Sequence, residues 1–382
     1  MNFDLTEEQQ MLNDSLRRFV ANEYGFEKRQ EIIRSGTGTD KATWAAFAEM
    51  GLLGFTFPEE HDGLGGNAID TMVVMENVGR GLVVEPYLAT VVLAGGLIRD
   101  AGSEVQKADI LPAIASGERL MALAHSEPGA RYNLSHVQTT ARKEGDQFLI
   151  SGQKTAVLHG GQANQLIVSA RTSGNVNNEA GLSLFLIDAS AKGVQVSDFA
   201  THDGHRTADI TFKNVAVSAG NLIGDIDQAF PVIEKTVDLG IAALCAEAVG
   251  TMEAMNAATL EYIKTRKQFG VPIGKFQVLQ HRMADMFIQT EQARTMAILA
   301  ATEADSNDRT SRREAISMAK TLVGQAARFV GQEGVQLHGG MGVTDEMVAA
   351  HLFKRLTLIN LLFGDADHHL AQVSDGLLAM TA

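Results

Sequence analysis

The densest group of ionisable side chains lies near the C-terminus, in the run GDADHH that follows Phe363. Asp365, His368 and His369 stand at i, i+3 and i+4, so a helix would place all three on one face. The carboxyl of Asp365, behind the apolar Phe363, is a candidate general base. Alternatively, Asp365, Asp367 and His368 could bind the metal of a metal-dependent hydrolase. A structural interpretation is also open, since an aspartate at a helix start caps the free N–H groups of the first turn.

Two further runs carry groups that suit a phosphate-bearing ligand. The run RKQFG at 266–270 places two cations beside an aromatic ring, where they can hold a phosphate and pack on a ring system. The run QLHGGMG at 336–342 has glycines that let a ligand approach the backbone, although no strand precedes it as a dinucleotide-binding βαβ unit requires. Each run also has a structural alternative: a basic helix C-terminus favoured by the macrodipole, and a turn between two helices.

A third run, AHSEPGA at 124–130, supplies a hydroxyl and backbone N–H groups that could contact an acceptor-rich ring. Pro-Gly is itself a turn signal, so a plain turn is the alternative interpretation. The run stands where the hydrophobic pattern of the chain changes from helical to extended.

Three sections of the chain must position these runs. Residues 1–119 are predicted to form an N-terminal helical domain that opens with a capping box of Thr6 and Gln9. Residues 120–226 contain short apolar runs broken by turn residues, which predicts a central β domain. Residues 227–382 return to long helical stripes and predict a C-terminal helical bundle.

The predicted fold class is therefore α+β, with a β-barrel-like domain between an N-terminal helical domain and a C-terminal four-helix bundle. In the first section, the helical pattern resumes over 68–116 after a loop at 54–66. In the last section, an apolar stripe at helical spacing runs from Ile316 to Val330 and includes Phe329.

Composition excludes several classes of protein. The 382 residues carry 46 acidic and 32 basic side chains, a formal net charge of −14, whereas a nucleic-acid binder needs a positive face. The single cysteine, Cys245, excludes an internal disulfide framework and fits a reducing compartment. Neither a secretory signal nor a run of about 18 apolar residues is found. We therefore expect a cytoplasmic protein with no membrane span and no nucleic-acid partner.

The order of these features along essentially the whole chain resembles the acyl-CoA dehydrogenase family: helices, the SEPGA loop, a β section, a long helix, RKQFG and QLHGG. Within the family, the sequence is most similar to the small-subunit type of pimeloyl-CoA dehydrogenase. The resemblance implies a flavoprotein oxidoreductase that holds FAD at a dimer interface and removes two hydrogens across the α,β bond of an acyl-CoA. It further implies a role in β-oxidation of fatty or dicarboxylic acids, with an electron-transfer flavoprotein as acceptor.

By position, the resemblance implies two sets of FAD-binding residues and no metal. One set would reach the flavin bound by the neighbouring subunit, the last three residues at its adenine end: Arg266, Phe269, Gln277, Gln336, Gly339 and Gly340. The other set would lie beside the isoalloxazine of the chain's own flavin and comprises Ser126 and Leu158. Leu158 replaces a threonine of the family and cannot donate a hydrogen bond to the ring edge.

The catalytic position departs from the family pattern. The usual glutamate follows an aromatic residue, but here Phe363 is followed by Gly364 and only then by Asp365. A shift of one residue rotates a helical side chain by about 100°. The alternative family position for the glutamate, on the long helix, falls at Gly240. Small residues at Ala156 and Gly364 suggest extra room beside the flavin, which would suit a bulky, branched or carboxyl-terminated acyl group.

Two hypotheses follow from the resemblance. In the first, the chain is a catalytic acyl-CoA dehydrogenase that uses Asp365 as an adapted base or takes its base from a partner chain. In the second, it is a non-catalytic partner subunit that completes the FAD sites of a heteromeric enzyme. A homo-oligomer and a heterotetramer with a sister acyl-CoA dehydrogenase subunit are both compatible with the sequence.

Overall fold

The computed structural model describes residues 5–381, which form helices at both ends of the chain and strands in the middle. The helices are α1 (Glu7–Glu23), α2 (Phe26–Ser35), α3 (Lys41–Glu49), α4 (Ala68–Gly81), α5 (Gly96–Ala101), α6 (Glu104–Ala115), α7 (Phe230–Thr265), α8 (Gln277–Ala304), α9 (Arg309–His338), α10 (Val348–Leu361) and α11 (Ala366–Thr381). The strands are β1 (Met121–Ala124), β2 (Thr140–Glu144), β3 (Gln147–Leu158), β4 (Gln165–Arg171), β5 (Leu182–Asp188), β6 (Val194–Ala200), β7 (Arg206–Ser218), β8 (Leu222–Ile223), β9 (Lys267–Gln268) and β10 (Val271–Pro272).

Contacts divide the described chain into two compact units that are discontinuous in sequence. The first comprises 5–31, 67–83 and 241–381, and the second comprises 32–66 and 84–240. The three-domain boundaries expected at 119/120 and 226/227 therefore stay a prediction. No helix in the described part of the chain has the length and apolar character needed to span a membrane.

In the first unit, α4 and α7 pack with their backbones in contact. A Cβ at Gly79 would lie 2.0 Å from the carbonyl oxygen of Glu247, and one at Gly250 would lie 1.8 Å from that of Glu76. Any larger side chain at either glycine would force the helices apart. At the start of the chain, the predicted capping box is confirmed, because Thr6 and Gln9 exchange hydrogen bonds of 3.2 and 3.1 Å.

The helical stripe predicted along α9 is confirmed as the core-facing side of that helix. Ile316 and Val330 at its ends are almost fully buried. Phe329 is the exception, with 37% of its surface exposed. α9 packs against α8, α10 and α11, which gives the C-terminal bundle expected from the long stripes.

The second unit contains the predicted β domain. Its sheet has the order β6-β7-β3-β2-β4-β5-β8, with β1 parallel to β4, and nearly all other pairs are antiparallel. Ile150, Leu166 and Phe185 lie in its apolar core. The two ends of this order do not pair with each other in the described structure, so the sheet is barrel-like but not a closed barrel.

The helical pattern expected over 68–116 is interrupted. α4 ends at Gly81, and the next residue, Leu82, adopts a left-handed φ of 50°. A π-helix then spans Leu88–Gly95, and all eight of its residues are buried. Because LATVVLAG has no polar face, hydrophobic periodicity could not distinguish this wider helix from an α-helix.

Candidate cofactor site

The segment after α7 forms a two-residue hairpin. Gln268 pairs with Val271, which leaves Phe269 and Gly270 as the turn. Their φ angles are 54° and 80°, as a type I′ turn requires. A phenylalanine in this conformation is strained, and its side chain is 91% exposed. The hairpin thus displays an aromatic ring on the surface of the first unit, edge-on to Phe276 at a centroid distance of 6.2 Å.

A cavity of about 560 Å³ lies beside this hairpin, where α7, α8 and the end of α9 meet. Four of the residues predicted to bind FAD line it together: Arg266, Gln336, Gly339 and Gly340. They come from two stretches about seventy residues apart in the sequence, which the helical packing brings to one place.

Two guanidinium groups border the cavity. Arg282, which the sequence reasoning missed, lies one helical turn into α8 and pairs with Glu333 at 3.3 Å. Arg266 is exposed and forms no ion pair among the described residues, so its charge is available to an anion. Arg282 had no motif to reveal it, because its position depends on how α8 packs against α9.

The glycine edge of the cavity is open to a ligand. Gly339 has a φ of 60°, and a Cβ added at Gly339 or Gly340 would meet nothing within 4 Å. Both backbone segments can therefore be approached closely by a bulky polar group. The cavity volume, the two guanidinium groups and the open glycine edge fit the phosphate-bearing half of a dinucleotide such as FAD.

His338 also lines the cavity and was not among the predicted residues. It is 3% exposed, and its Nδ1 lies 2.8 Å from the carbonyl oxygen of Gly334. Its ring stacks on Tyr262 at 4.5 Å, whereas its buried Nε2 has no hydrogen-bond partner. Burial lowers the pKa of His338 and so favours its neutral imidazole.

Gln277 does not line the cavity. It is the exposed first residue of α8, directly after Phe276, whose ring faces Phe269. Its predicted FAD contact, like that of Phe269, stays a prediction.

In the second unit, Ser126 and Leu158 belong to neighbouring segments. Ser126 is exposed, and its carbonyl oxygen accepts a hydrogen bond of 2.9 Å from the backbone N–H of Thr155 on β3. Leu158 is half-buried at the end of β3, opposite Thr207. Between them, Ala156 is exposed and has a left-handed φ of 51°.

A buried polar network fixes the loop that carries Ser126. Lys154 Nζ donates to Glu127 Oε1 at 2.7 Å, to Ser169 Oγ at 2.9 Å and to the carbonyl oxygen of His125 at 3.1 Å. Burial lowers the pKa of Lys154 to about 8 and, with the nearby lysine, that of His125 to about 3. Because His125 and Glu127 flank Ser126, the network holds its backbone from both sides. The sequence reasoning missed this network, whose members lie far apart in the chain.

The candidate base Asp365 caps a helix. Its Oδ1 accepts a hydrogen bond of 2.9 Å from the backbone N–H of His368, and its carbonyl oxygen accepts one of 3.1 Å from that of His369. These are the N-cap bonds of α11, which begins at the next residue. The geometry therefore matches the structural interpretation of this run.

The space beside Gly364, the residue before Asp365, is occupied by other side chains. Gly364 has a φ of 116°, and a Cβ there would lie 2.5 Å from His369 Nε2 and 2.7 Å from His368 Cδ2. The expectation of extra room beside Gly364 is wrong, because the two imidazole rings occupy it. A glutamate at this position would require both the backbone and the rings to move.

The two histidines do not form a metal site. His369 is almost fully buried between Ser317 Oγ and the carbonyl oxygen of Phe363, each 3.2 Å away, and burial lowers its pKa to about 3. His368 Nε2 lies 2.9 Å from the amide nitrogen of Gln372. In residues 5–381, no three histidine, cysteine or acidic side chains come together as a metal site, so the metal-hydrolase alternative gains no support.

On the long helix α7, the buried Glu247 is not available as an alternative base. Glu247 is 2% exposed and forms a buried ion pair with Arg355, with oxygens 2.5 and 2.8 Å from Nε and Nη2. Because both oxygens of this carboxylate accept hydrogen bonds from Arg355, it is not available to take a proton from a substrate.

Comparison with known proteins places the chain in a family. Three acyl-CoA dehydrogenase domains match it: the N-terminal domain at residues 6–118, the middle domain at 122–215 and the C-terminal domain at 227–378. The chain therefore belongs to the acyl-CoA dehydrogenase family, whose members are FAD-binding flavoproteins. This confirms the expected fold class and cofactor.

Individual relatives match over nearly their full length. The chain is 32% identical over 372 residues to a probable acyl-CoA dehydrogenase, YngJ, of Bacillus subtilis, covering 96% of this chain and 97% of that protein. It is similar to butyryl-CoA dehydrogenase from Megasphaera elsdenii, at 27% identity and a TM-score of 0.90, covering 99% and 100% of the two chains. It is also similar to a chain of the ChsE4-ChsE5 complex from Mycobacterium tuberculosis, at 25% identity and a TM-score of 0.88, covering 99% of each.

Proposed function

We propose that this protein is the FAD-completing partner subunit of a heteromeric acyl-CoA dehydrogenase that oxidises the α,β bond of an acyl-CoA thioester. The observation that carries the proposal is a contrast within the first unit. Residues that could bind a dinucleotide line an open cavity. In contrast, the position where the family has its catalytic glutamate is Gly364, which is packed against two histidines.

The cavity supports the first part of the proposal, which is that this chain binds FAD. When bound, FAD provides the two-electron redox chemistry of the family. Arg266 and Arg282 would neutralise its phosphates, and the backbone at Gly339 and Gly340 would allow close approach. Phe269, on its strained turn, would pack against a ring of the ligand. In the second unit, we assign Ser126 and Leu158 to the surroundings of a flavin ring.

The second part of the proposal is that this chain has no catalytic base of its own, and it rests on the positions of Asp365 and Gly364. A general base must reach the proton that it removes with a carboxylate free to accept it. Asp365 instead uses Oδ1 to cap α11, and Gly364 has no side chain. Gly240, at the alternative position, lies buried within α7. We therefore propose that a catalytic sister chain supplies the base. This chain would contribute residues that bind FAD.

The resemblance to a chain of the ChsE4-ChsE5 complex supports a heteromeric assembly, since that name joins two different proteins. Acyl-CoA as substrate and an electron-transfer flavoprotein as acceptor follow from the family resemblance. The pimeloyl-type subgroup, and with it a dicarboxylic acyl group, is part of the same proposal.

The test compares the chain alone with the chain produced together with a second acyl-CoA dehydrogenase chain of the same organism. Dye reduction would be measured with butyryl-, octanoyl- and pimeloyl-CoA, and flavin content per chain by absorbance. We expect turnover only from the pair. Asp365→Asn should leave that turnover unchanged, because asparagine caps α11 equally well. Arg266→Ala should lower the flavin content.

Full turnover by the lone chain, abolished by Asp365→Asn at unchanged flavin content, would establish the catalytic hypothesis instead. A colourless pair that neither binds FAD nor reduces the dye would overturn both.

A further inference from the structure

We propose that Asp209 is a positioning residue for the flavin ring, because it holds β3 in a bulge that sets the places of Ser126 and Leu158. The inference rests on the proposed function, since it takes Ser126 and Leu158 as neighbours of the ring. It adds a residue that neither the motifs nor the family resemblance indicated.

The bulge lies on β3 in the second unit. Between two successive pairs of the β3–β7 ladder, β3 has two residues, Thr155 and Ala156, whereas β7 has only Asp209. One extra residue of this kind defines a β-bulge, and it leaves backbone groups without their ladder partners. Ala156 has a left-handed φ of 51°, which is unfavourable for alanine and must be held by its surroundings.

Asp209 supplies hydrogen bonds that the ladder lacks at the bulge. Its Oδ1 accepts one of 3.1 Å from the backbone N–H of Ala156 and one of 2.6 Å from the hydroxyl of Thr155. A carboxylate is a stronger acceptor than a neutral group. The residue opposite the bulge therefore fixes both residues of the bulge.

The bulge is also bonded to the loop that carries Ser126. The backbone N–H of Thr155 donates to the carbonyl oxygen of Ser126 at 2.9 Å. The two N–H groups of the bulge thus have partners outside the β3–β7 ladder, one in Ser126 and the other in Asp209. Because a displaced Thr155 would strain or break its bond to Ser126, Asp209 acts on Ser126 through the bulge.

The bulge further decides which face of the sheet carries Leu158. In a regular strand, residues three apart lie on opposite faces. Lys154 and Val157 are nevertheless both buried, because the bulge adds one residue between them. Leu158, the next residue, lies on the face opposite Val157, which belongs to the apolar core of the sheet. Without the bulge, regular alternation would place Leu158 on the same face as Lys154.

Two substitutions of Asp209 separate its hydrogen bonds from its charge. Asp209→Ala removes the acceptor, whereas Asp209→Asn keeps an oxygen that can accept from the same two donors. Thr155→Val removes only the hydroxyl bond, and it serves as a second test if Asp209→Ala does not fold. The matched control is Asp146→Ala, at an exposed aspartate in the turn before β3.

The first measurement follows amide hydrogen exchange in β3, in flavin-stripped protein in the assembly in which it purifies. We expect Asp209→Ala to speed exchange at Ala156 about tenfold, the effect of losing one hydrogen bond to a charged group. Thr155→Val should give a smaller increase. Asp209→Asn and the control should stay within about threefold of the unchanged protein. Thermal melting of the stripped variants checks that they are folded.

The second measurement records the visible absorption and circular dichroism of the flavin in the assembly with FAD bound. These bands report on the surroundings of the flavin ring, and a residue needed only for folding would not move them. Asp209→Ala should shift the bands, whereas Asp209→Asn should restore those of the unchanged protein.

The outcomes distinguish this inference from the proposed function. Unchanged exchange in Asp209→Ala would refute its hold on the bulge. Faster exchange with unchanged flavin bands would refute the positioning role, while the proposed function stands if Arg266→Ala still lowers the flavin content. Equal band shifts in Asp209→Ala and Asp209→Asn would show that the charge acts on the ring, which also overturns positioning through the bulge. An unchanged assembly that binds no flavin would overturn the proposed function, and the role of Asp209 with it.

Discussion

At the scale of single residues, the same side chain often satisfies both a functional and a structural interpretation, and its hydrogen bonds decide between them. Asp365 has the chemistry of a base, yet its carboxylate is bonded to the backbone of α11. His338 ends α9 in a run with a structural interpretation, yet its buried Nε2 has no hydrogen-bond partner. Residue type therefore indicates which chemistry a side chain could perform. The atoms that hydrogen-bond to it show whether it is available for that chemistry.

The capping role of Asp365 leads to a stability prediction. Asp365→Ala should lower the free energy of unfolding by about 1 kcal/mol, because the N–H of His368 loses its acceptor. Asp365→Asn keeps an acceptor in place and should stay close to the unchanged protein. Urea unfolding followed by circular dichroism would measure both. A loss of equal size in the two variants would show that the charge of Asp365 matters rather than its capping bond.

At the scale of secondary-structure elements, a buried lysine on α9 joins the end of α10 to the core of the first unit. Lys320 Nζ donates to the carbonyl oxygens of Ile359 at 2.5 Å and Leu362 at 2.9 Å. The last carbonyls of a helix lack partners within it, so this amine completes the C-terminus of α10. The bend into Phe363 and Gly364 follows directly from this anchored end.

This anchor should make stability depend on pH. Burial lowers the pKa of Lys320 to about 8 from its ordinary 10.5. Between these values the unfolded chain binds more protons than the folded one, so the contribution of Lys320 to stability rises with pH. Relative to Lys320→Met, the unchanged protein should gain about 2 kcal/mol of unfolding free energy from pH 7.5 to 9.5.

Urea unfolding of both proteins at the two pH values would test the sign and the size of this effect, since all other titrating groups are common to both. A constant difference would mean that Lys320 titrates outside this range. A difference that shrinks as the pH rises would contradict the proposed desolvation of the amine.

At the scale of the whole molecule, cofactor binding should stabilise the fold by mass action. The cavity is assembled from α7, α8 and the end of α9, so FAD bound there, as proposed, would bind the folded chain and not the unfolded one. Free FAD at about 100 times its dissociation constant should add about 2.7 kcal/mol to the unfolding free energy. Melting of the assembled protein with and without FAD would show the shift. Arg266→Ala should reduce the shift at the same FAD concentration, and an unchanged shift would place the flavin elsewhere.

The outcome for the fold shows what local pattern can provide. Period and turn residues predicted the capping box at Thr6, the apolar stripe along α9 and the strands of the middle section, because each depends on near neighbours in the chain. The π-helix at Leu88–Gly95 was missed, since a run with a single polar residue, Thr90, has no hydrophobic periodicity to measure. The open edge of the sheet could not be predicted from the sequence either, because closure of the sheet depends on which distant strands pair.

What the sequence alone determined is the class of protein, because residue type and order predicted its fold, its family and the two runs that we propose to bind a flavin dinucleotide. What only the tertiary structure decided is which groups are free to act. The capping bond of Asp365, the imidazole rings packed against Gly364 and the unpaired nitrogen of His338 each depend on atoms brought together by packing. Hydrogen bonds and steric exclusion operate over a few ångströms of space, and distance along the chain does not reveal them.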